Sequence, residues 1–406
     1  MPQNLALRRL GAGVLLAACL AVPVGAQSPT EWDRCAGKDI GTIDQMIDGC
    51  NMIIQSGTEP AERLALAFVA RASAYMTKGD YDRAIHDYDR AVALDPTNSL
   101  AFSNRGFAYA GKGNVDRAIE DSDKAIKLNP ESAMGLYNRG FAYAAKGDFD
   151  RAIQDYDRAI GLNSDFAQAL ANRGFAHAAR GDFDRAIQDY DVAIRISPDV
   201  PVVFYNRGVA YGRQGKLDSA IEDYNQAIQL NRNYSWAYYR RAQAYANKRE
   251  FARAIRDYDE TIRLDPGNAK AFNDRGFAYA SKGDLDRAIG DYSQAVRIDP
   301  NYANALYNRG SAYVEQRRFD RAIQDYNEVV KLDPNFGQAL VNRGFVYATR
   351  GDYELAIQDF DRAIALNPAS AQALLNRGIA KLRKGDFMSG RADIAQAKLL
   401  DPGIHD

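Results

Sequence analysis

The chain has 406 residues, with 52 lysines and arginines against 53 aspartates and glutamates, so its formal net charge is only −1. Opposite charges are interspersed along the sequence, which argues against the basic face that nucleic-acid binding requires. The same pattern is typical of solvated helix surfaces. Nucleic acid is therefore not an expected partner.

Residues 1–26 have the layout of a secretory signal peptide. Two arginines precede an apolar run over residues 10–22, and small residues at 24–26 predict cleavage after Ala26. The run is too short to span a membrane comfortably. A competing interpretation is a lipoprotein processing site, which would leave Cys19 lipidated and the protein anchored to a membrane. The apolar run continues beyond Cys19, which favours ordinary cleavage and a periplasmic or secreted protein.

Residues 27–64 are interpreted as a capping segment. Cleavage leaves Cys35 and Cys50, and two cysteines close together in an exported chain predict one disulfide. In the chain-entropy model, closing such a loop is worth roughly 3 kcal/mol. The chain has three histidines and none lies near either cysteine, so no metal site is expected. Apolar residues at helical spacing predict one extra helix here: Ile43, Met46, Ile47, Cys50, Ile53 and Ile54.

From residue 65 onward the sequence repeats every 34 residues. Arginine keeps this step at 71, 105, 139, 173, 207, 241, 275, 309, 343 and 377. Aspartate keeps it at 87, 121, 155, 189, 223, 257, 291, 325, 359 and 393. Ten units thus cover 65–404 without insertion or deletion: 65–98, 99–132, 133–166, 167–200, 201–234, 235–268, 269–302, 303–336, 337–370 and 371–404.

Each unit predicts two helices joined by a short turn. In the unit 133–166 the first helix runs from Ala133 to Lys146, and Asp148 is a suitable N-cap for a second helix. A proline near the end of most units cannot continue that helix and opens the connection to the next unit. A glycine recurs on the first helix and an alanine on the second, which indicates that the two backbones approach closely there.

The repeating unit resembles the tetratricopeptide repeat (TPR). The segments Tyr137-Asn-Arg-Gly-Phe-Ala-Tyr, Lys146-Gly-Asp, Ala152-Ile-Gln-Asp-Tyr and Ala159-Ile, with a closing proline in most units, match the large–Gly–Tyr–Ala–aromatic–Ala–Pro positions of that family. Arginine stands where the family usually has an apolar residue before the glycine. The resemblance covers about five-sixths of the chain. It implies an all-α fold, a right-handed α-solenoid of ten tandem 34-residue helix hairpins with an N-terminal capping helix, in which first helices line a concave groove.

The tenth unit departs from the pattern of the other nine. Their second helices have isoleucine at one position and valine or isoleucine at another, whereas the tenth has Arg391 and Lys398. A face that would meet an eleventh unit has become polar, so the array is expected to end there.

No catalytic constellation is visible. Outside the signal and the repeats about forty residues remain, too few for a catalytic domain. No nucleophile recurs beside a base, and no phosphate-binding glycine loop occurs. The chain is therefore expected to be no enzyme, with no cofactor and no evident small-molecule substrate. His177 replaces a core tyrosine and is interpreted as structural, and the recurring pair of Arg139 with Asp155 is interpreted as an ion pair within the repeat rather than an anion-binding ladder.

Two series on the first helices are candidates for peptide binding. The first series consists of asparagines, one in most repeats. An asparagine amide offers two donors and one acceptor, so a ladder of asparagines can pair with a peptide backbone whatever the peptide's sequence. The series resembles the asparagine ladder in the superhelix of O-linked N-acetylglucosamine transferase. The catalytic part of that enzyme has no counterpart here. Phenylalanines follow three positions later and complete a track suited to extended polypeptide. The alternative is that both series only stabilise neighbouring repeats. The residues are Asn104, Asn138, Asn172, Asn206, Asn308, Asn342 and Asn376, with Phe107, Phe141, Phe175, Phe277 and Phe345.

The ladder is interrupted in the middle of the array. Arg240 and Asp274 stand where asparagine is expected, among aromatic and charged residues of the kinds that dominate interface energetics. These residues predict a central specificity patch; the alternative is that Trp236 packs under repeat five. The full set is Tyr205, Trp236, Tyr239, Arg240, Lys270 and Asp274.

The sequence as a whole predicts a non-enzymatic scaffold in the cell envelope that binds extended segments of protein or peptide clients in its groove. The alternative is a structural lipoprotein of an envelope assembly that acts through its convex surface. A membrane would be a partner only if Cys19 is lipidated.

Overall fold

The computed structural model describes residues 29–37 and 42–404. The predicted signal peptide, with Ala26 and Cys19, lies outside these residues. Within them the chain forms 22 α-helices and no strand, which confirms the all-α prediction. The chain divides into two compact units, Met1–Arg232 and Asn233–Asp406.

The first unit contains twelve helices: α1 (Pro29–Cys35), α2 (Ile43–Ser56), α3 (Ala61–Thr77), α4 (Tyr81–Leu94), α5 (Ser99–Gly111), α6 (Val115–Leu128), α7 (Ala133–Lys146), α8 (Phe149–Leu162), α9 (Ala167–Ala179), α10 (Phe183–Ile196), α11 (Pro201–Arg213) and α12 (Leu217–Leu230).

The second unit contains ten helices: α13 (Ser235–Asn247), α14 (Phe251–Leu264), α15 (Ala269–Ser281), α16 (Leu285–Ile298), α17 (Ala303–Glu315), α18 (Phe319–Leu332), α19 (Gly337–Arg350), α20 (Tyr353–Leu366), α21 (Ala371–Lys384) and α22 (Phe387–Leu400). From α3 onward, each 34-residue repeat supplies one first helix and one second helix.

The turn between the helices of a repeat follows from local chemistry. Gly147 ends α7 in the left-handed region at φ 86°, which a residue without a Cβ adopts at low cost. Asp148 then caps α8, because its carboxylate accepts a hydrogen bond from the backbone N–H of Arg151 at 3.1 Å. Glycine and the capping residue together reverse the chain direction in a short turn, so the two helices pack side by side and antiparallel.

The recurring glycine of the first helix lies against the second helix. A Cβ added to Gly140 would lie 2.9 Å from Cε1 of Tyr156 and 3.1 Å from the carbonyl oxygen of Ala152. Tyr156 is fully buried, so it has little room to move away. Close helix packing therefore requires glycine at this position.

The capping segment holds two helices, whereas the sequence predicted one. The seven-residue α1 is tied to α2 by the predicted disulfide, in which the sulfurs of Cys35 and Cys50 are 2.09 Å apart and fully buried. The indole Nε1 of Trp32 donates to Glu59 at 3.0 Å. The predicted boundary between residues 64 and 65 falls inside α3, since this helix begins at Ala61.

Helix α2 contacts α3 as the second helix of a preceding repeat would. Nη1 of Arg71 donates to Asn51 on α2 at 2.7 Å, just as Nη1 of Arg105 donates to Asp89 on α4 at 2.8 Å. Lys78 likewise pairs with Asp44 on α2. The capping segment is thus a shortened hairpin in which a disulfide stabilises a first helix of seven residues.

Candidate functional site

The recurring arginine is the junction at which hairpins meet. In Arg139, Nε and Nη2 donate to the two carboxylate oxygens of Asp155 at 2.8 and 2.6 Å, so the predicted ion pair within the repeat is present. Nη1 also donates to Asp123 on the preceding second helix at 2.8 Å. The hydrogen bond to Asp155, opposed by burial and assisted by Asp123, holds the pKa of Arg139 above its ordinary value.

The bidentate pair recurs in all ten repeats. Arginines such as Arg139 and Arg173, whose Nη1 bond crosses to the preceding hairpin, therefore fix both the fold of their own repeat and its register with the preceding repeat. This second role was not predicted from the sequence. The signal was the aspartate two positions after the paired one, Asp123 and its equivalents, which keeps the same 34-residue step in most repeats.

The asparagines of the first unit are buried, and two of them bridge adjacent first helices. Asn104, Asn138, Asn172 and Asn206 are all at most 8% exposed. Nδ2 of Asn138 donates to the carbonyl and hydroxyl oxygens of Ser103 at 3.0 and 2.8 Å. Nδ2 of Asn172 donates to the hydroxyl of the Tyr137 side chain at 3.0 Å. The amides of Asn138 and Asn172 thus join neighbouring repeats, and contact of the asparagine series with a peptide stays a prediction.

The asparagines of the second unit are half-buried and retain accessible surface. Asn308 donates to Asn273 at 2.9 Å, and Asn342 donates to the Tyr307 hydroxyl at 3.0 Å. Asn376 accepts a hydrogen bond from Gln372 at 2.9 Å within its own helix. In this unit the series therefore combines contacts between repeats with polar surface that a ligand could reach.

The phenylalanines also differ between the two units. In the first unit Phe107 packs on Phe141 with ring centroids 5.4 Å apart, and Phe175 lies edge-on to Phe149 at 6.4 Å. In the second unit Phe277 and Phe345 are 53% and 49% exposed. Phenylalanines occupy consecutive repeats in the first unit, whereas Gln243 and Ser311 alternate with them in the second. Without aromatic neighbours in the adjacent repeats, these two rings face solvent.

Four of the predicted patch residues form a contact network in the second unit. Trp236 is 37% exposed, and its ring meets that of Tyr239 edge-on at 6.3 Å. The Tyr239 hydroxyl donates to Asp274 at 2.8 Å, and burial followed by the Asp274 charge raises the pKa of Tyr239. Arg240 joins through Gln243, to which its Nη1 donates at 2.9 Å.

Two further residues of this network were not predicted from the sequence. Gln243 donates to Asp274 at 3.4 Å, and Asn273 donates to the other oxygen of that carboxylate at 3.0 Å. The Asp274 carboxylate thus accepts hydrogen bonds from three side chains of the protein. Lys270 is exposed, and Tyr205 belongs to the first unit, where its ring lies 6.1 Å from that of Tyr224.

His177 occupies the tyrosine position that the sequence indicated. Its side chain is buried, and burial lowers the pKa of the imidazole, which favours the neutral form. Among the described residues, no group of three or more histidine, cysteine, aspartate or glutamate side chains is placed to hold a metal ion. In the same part of the chain, no helix is both long and apolar enough to cross a membrane.

Family models match residues 72–402 without a gap. Models described as tetratricopeptide repeat match 104–164, 137–201, 201–234, 235–268, 257–290, 307–371 and 346–402, and one described as TPR repeat matches 72–113 and 278–317. The chain belongs to the tetratricopeptide repeat family. Membership in this TPR family supports a role as a protein–protein interaction scaffold.

Several solved structures are similar to parts of the chain. YrrB, described as a TPR protein with an unusual peptide-binding site, is 26% identical over 46% of this chain and 97% of its own, with a TM-score of 0.42. MamA is 28% identical over 40% of this chain and 96% of its own, with a TM-score of 0.39. Pseudomonas aeruginosa PilF is 23% identical over 52% of this chain and 96% of its own, with a TM-score of 0.47. No curated protein matches the chain.

Proposed function

We propose that this TPR protein is a non-enzymatic scaffold that binds extended polypeptide segments along its first helices. Family membership supports the scaffold role. The observation that carries peptide binding is the exposure of the large aromatic side chains of Trp236, Phe277 and Phe345 on first helices of the second unit. Exposed aromatic side chains on a folded surface are typical of binding sites, because burying them releases ordered water and gains large contact areas.

Polar groups lie beside these rings. Phe345 follows Asn342 by three residues on α19, so the two side chains share one face of the helix. The amide can hydrogen-bond the backbone of a bound strand while the ring receives one of its side chains. The arginine junctions hold successive hairpins in fixed register, so little conformational entropy is lost when a peptide binds.

The spacing of the exposed rings indicates the class of peptide. Phe277 and Phe345 are two repeats apart, and packed helices lie about 8–10 Å from each other, which places the rings roughly 20 Å apart. An extended chain advances about 3.3 Å per residue, so roughly six residues span that distance. The preferred ligand is therefore an extended segment with two apolar residues about six positions apart.

Peptides that contain two leucines at varied separations in a serine–glycine background test this function. Binding to the full chain, measured by fluorescence anisotropy, is expected to be strongest near a separation of about six residues. Phe277→Ser combined with Phe345→Ser should weaken binding by about tenfold or more, because exposed aromatic anchors typically contribute over 1 kcal/mol. Leu355→Ser combined with Leu366→Ser is the matched control, since both leucines are similarly exposed on a second helix.

The first-helix site would be contradicted if the control pair lost as much peptide binding as the phenylalanine pair, or if the phenylalanine pair bound the peptide as tightly as the wild type. The patch is tested with Trp236→Ala combined with Arg240→Ala. Trp236 and Arg240 lie on the repeat that precedes Phe277, outside the span from Phe277 to Phe345. This pair should therefore change which residues are selected beyond the leucine bound at Phe277, and an unaltered selection would remove the patch from the proposal.

The envelope location is also a proposal. It is supported by the signal-like residues 1–26 and by the disulfide between Cys35 and Cys50, a bond typical of oxidising compartments. Mass spectrometry of the mature N-terminus decides between the options. A chain beginning at Gln27 supports a periplasmic or secreted protein, lipidated Cys19 supports the membrane-anchored alternative, and an unprocessed Met1 contradicts both.

A further inference from the structure

Helix α22 has an apolar stripe that other second helices lack. Its residues Met388, Ala392, Ala395 and Leu399 occupy positions that are charged or polar in most other repeats. The equivalent positions of the second repeat are Asp116, Glu120, Asp123 and Lys127. The change affects four positions of one helix together, so it alters a whole face of that helix.

The stripe faces solvent. Met388 is 87% exposed and Leu399 is 77% exposed, and both alanines between them are exposed as well. The opposite side of α22 packs within its own hairpin, where Gly390, Asp393 and Ala397 are buried. Terminal repeats of solenoids normally present a polar outer face for solubility. The sequence predicted a polar end from Arg391 and Lys398, and the exposed stripe beside these two residues is apolar.

The spacing of the stripe is that of a coiled-coil seam. Successive residues are four, three and four positions apart, which corresponds to heptad positions d, a, d and a. Arg391 and Lys398 each immediately precede an a residue, so both occupy g positions. In a coiled coil, g residues flank the apolar seam and select partners by charge. The exposed face of α22 is thus arranged as one half of a helix–helix interface.

A further repeat of this chain's own type does not fit the face. In the second and third repeats, Asp116 pairs with Lys146 and Asp123 pairs with Arg139 of the following hairpin. On α22 the equivalents of these two aspartates are Met388 and Ala395, which cannot accept a hydrogen bond from a cation. Two cations instead flank the seam, so the incoming helix must be apolar at its centre and acidic at its edges.

We propose that α22 docks an amphipathic helix of a partner protein with apolar a and d positions and acidic e and g positions. Charge complementarity to Arg391 and Lys398 selects this partner. A second copy of α22 is a poorer occupant. Antiparallel pairing would bring the basic g positions of the two copies together, and parallel pairing would place them beside the uncharged Ser389 and Gln396. This site is independent of the first-helix face proposed to bind extended peptide.

Two designed peptides test the proposal on the full chain. Each has about 21 residues, or three heptads, with leucine at a and d. One carries glutamate at e and g, and the other carries lysine there. By isothermal titration calorimetry the glutamate peptide is expected to bind at least about tenfold more tightly. Arg391→Glu combined with Lys398→Glu should reverse this preference.

A second pair of variants distinguishes binding at the apolar seam from non-specific hydrophobic binding. Met388→Ser combined with Leu399→Ser should weaken binding of the glutamate peptide by at least about tenfold. Leu332→Ser combined with Leu366→Ser, at exposed leucines that end other second helices, should leave it unchanged. Circular dichroism confirms that each variant is folded.

Equal binding of the two peptides, binding of neither, or equal loss in the control pair would overturn the proposal. So would self-association of the chain, measured by sedimentation, that Met388→Ser with Leu399→Ser abolishes, because the occupant would then be a second copy. The variant Phe277→Ser with Phe345→Ser should bind the glutamate peptide as the wild type does, so failure of one site leaves the other testable.

Discussion

At the residue scale, the planar guanidinium accounts for why arginine recurs at each hairpin junction. Three N–H groups of Arg139 reach Asp155 and Asp123, which lie on two different second helices. A lysine ammonium is a compact charge on a flexible stem and cannot reproduce this bidentate geometry. The arginine therefore links folding within a repeat to docking between repeats.

Replacing this arginine tests the junction. Arg139→Ala is expected to lower the free energy of unfolding by about 2–4 kcal/mol, because it leaves the buried carboxylate of Asp155 without its cation. Arg139→Lys should recover only part of that loss. Urea unfolding measures both. Arg158→Ala, at an exposed position of α8, should stay within about 0.5 kcal/mol of wild type. Equal effects at Arg139 and Arg158 would show that the junction adds no stability.

At the scale of the element, two glycines of repeat seven have different roles. Gly276 lies on α15 where an added Cβ would be 2.8 Å from Cε1 of the Tyr292 ring. Gly290 lies on α16, and a Cβ there would meet no atom within 4 Å. The first glycine permits helix packing, whereas the second only lowers the helix propensity of its segment.

Alanine substitutions should therefore shift stability in opposite directions. Gly276→Ala is expected to destabilise by about 1–3 kcal/mol, because the buried tyrosine must move. Gly290→Ala should stabilise by up to about 1 kcal/mol through better helix propensity. Thermal melts of the two single variants measure the difference. Shifts of the same sign would mean that the close approach at Gly276 does not limit packing.

At the scale of the whole molecule, a repeat array is held together by contacts between neighbours. The capping hairpin α1–α2 covers one face of the first repeat, where Ile47 and Ile54 pack against the cluster around Phe68 and Val69. Because each hairpin contacts mainly its neighbours, loss of the cap should act locally and fade along the array.

Cys35→Ser combined with Cys50→Ser tests this locality. Without the disulfide, the local stability of α2 and α3 is expected to fall by roughly 3 kcal/mol, the chain-entropy value for a loop of this size. Amide hydrogen exchange should show faster exchange there and little change in α9 and α10. Uniformly faster exchange across the first unit would indicate that it unfolds as one cooperative body instead.

The sequence by itself determined the repeat, its two helices, the ion pair within each repeat and the pairing of the two cysteines. These features depend on a 34-residue period, on glycine and capping chemistry, and on residues that recur at fixed offsets. Helix α1 was missed because seven residues are too few to show a helical period. The bridging bond of Arg139 was missed because its acceptor belongs to another repeat.

Only the tertiary structure decided which members of each series are accessible. Asn172 is buried and Asn376 is half-exposed, although both occupy the same repeat position. Phe141 is buried beside Phe107, whereas Phe345 is exposed because the preceding repeat offers Ser311. Burial is a property of the neighbours that surround a side chain in space, and those neighbours lie a full repeat away along the chain.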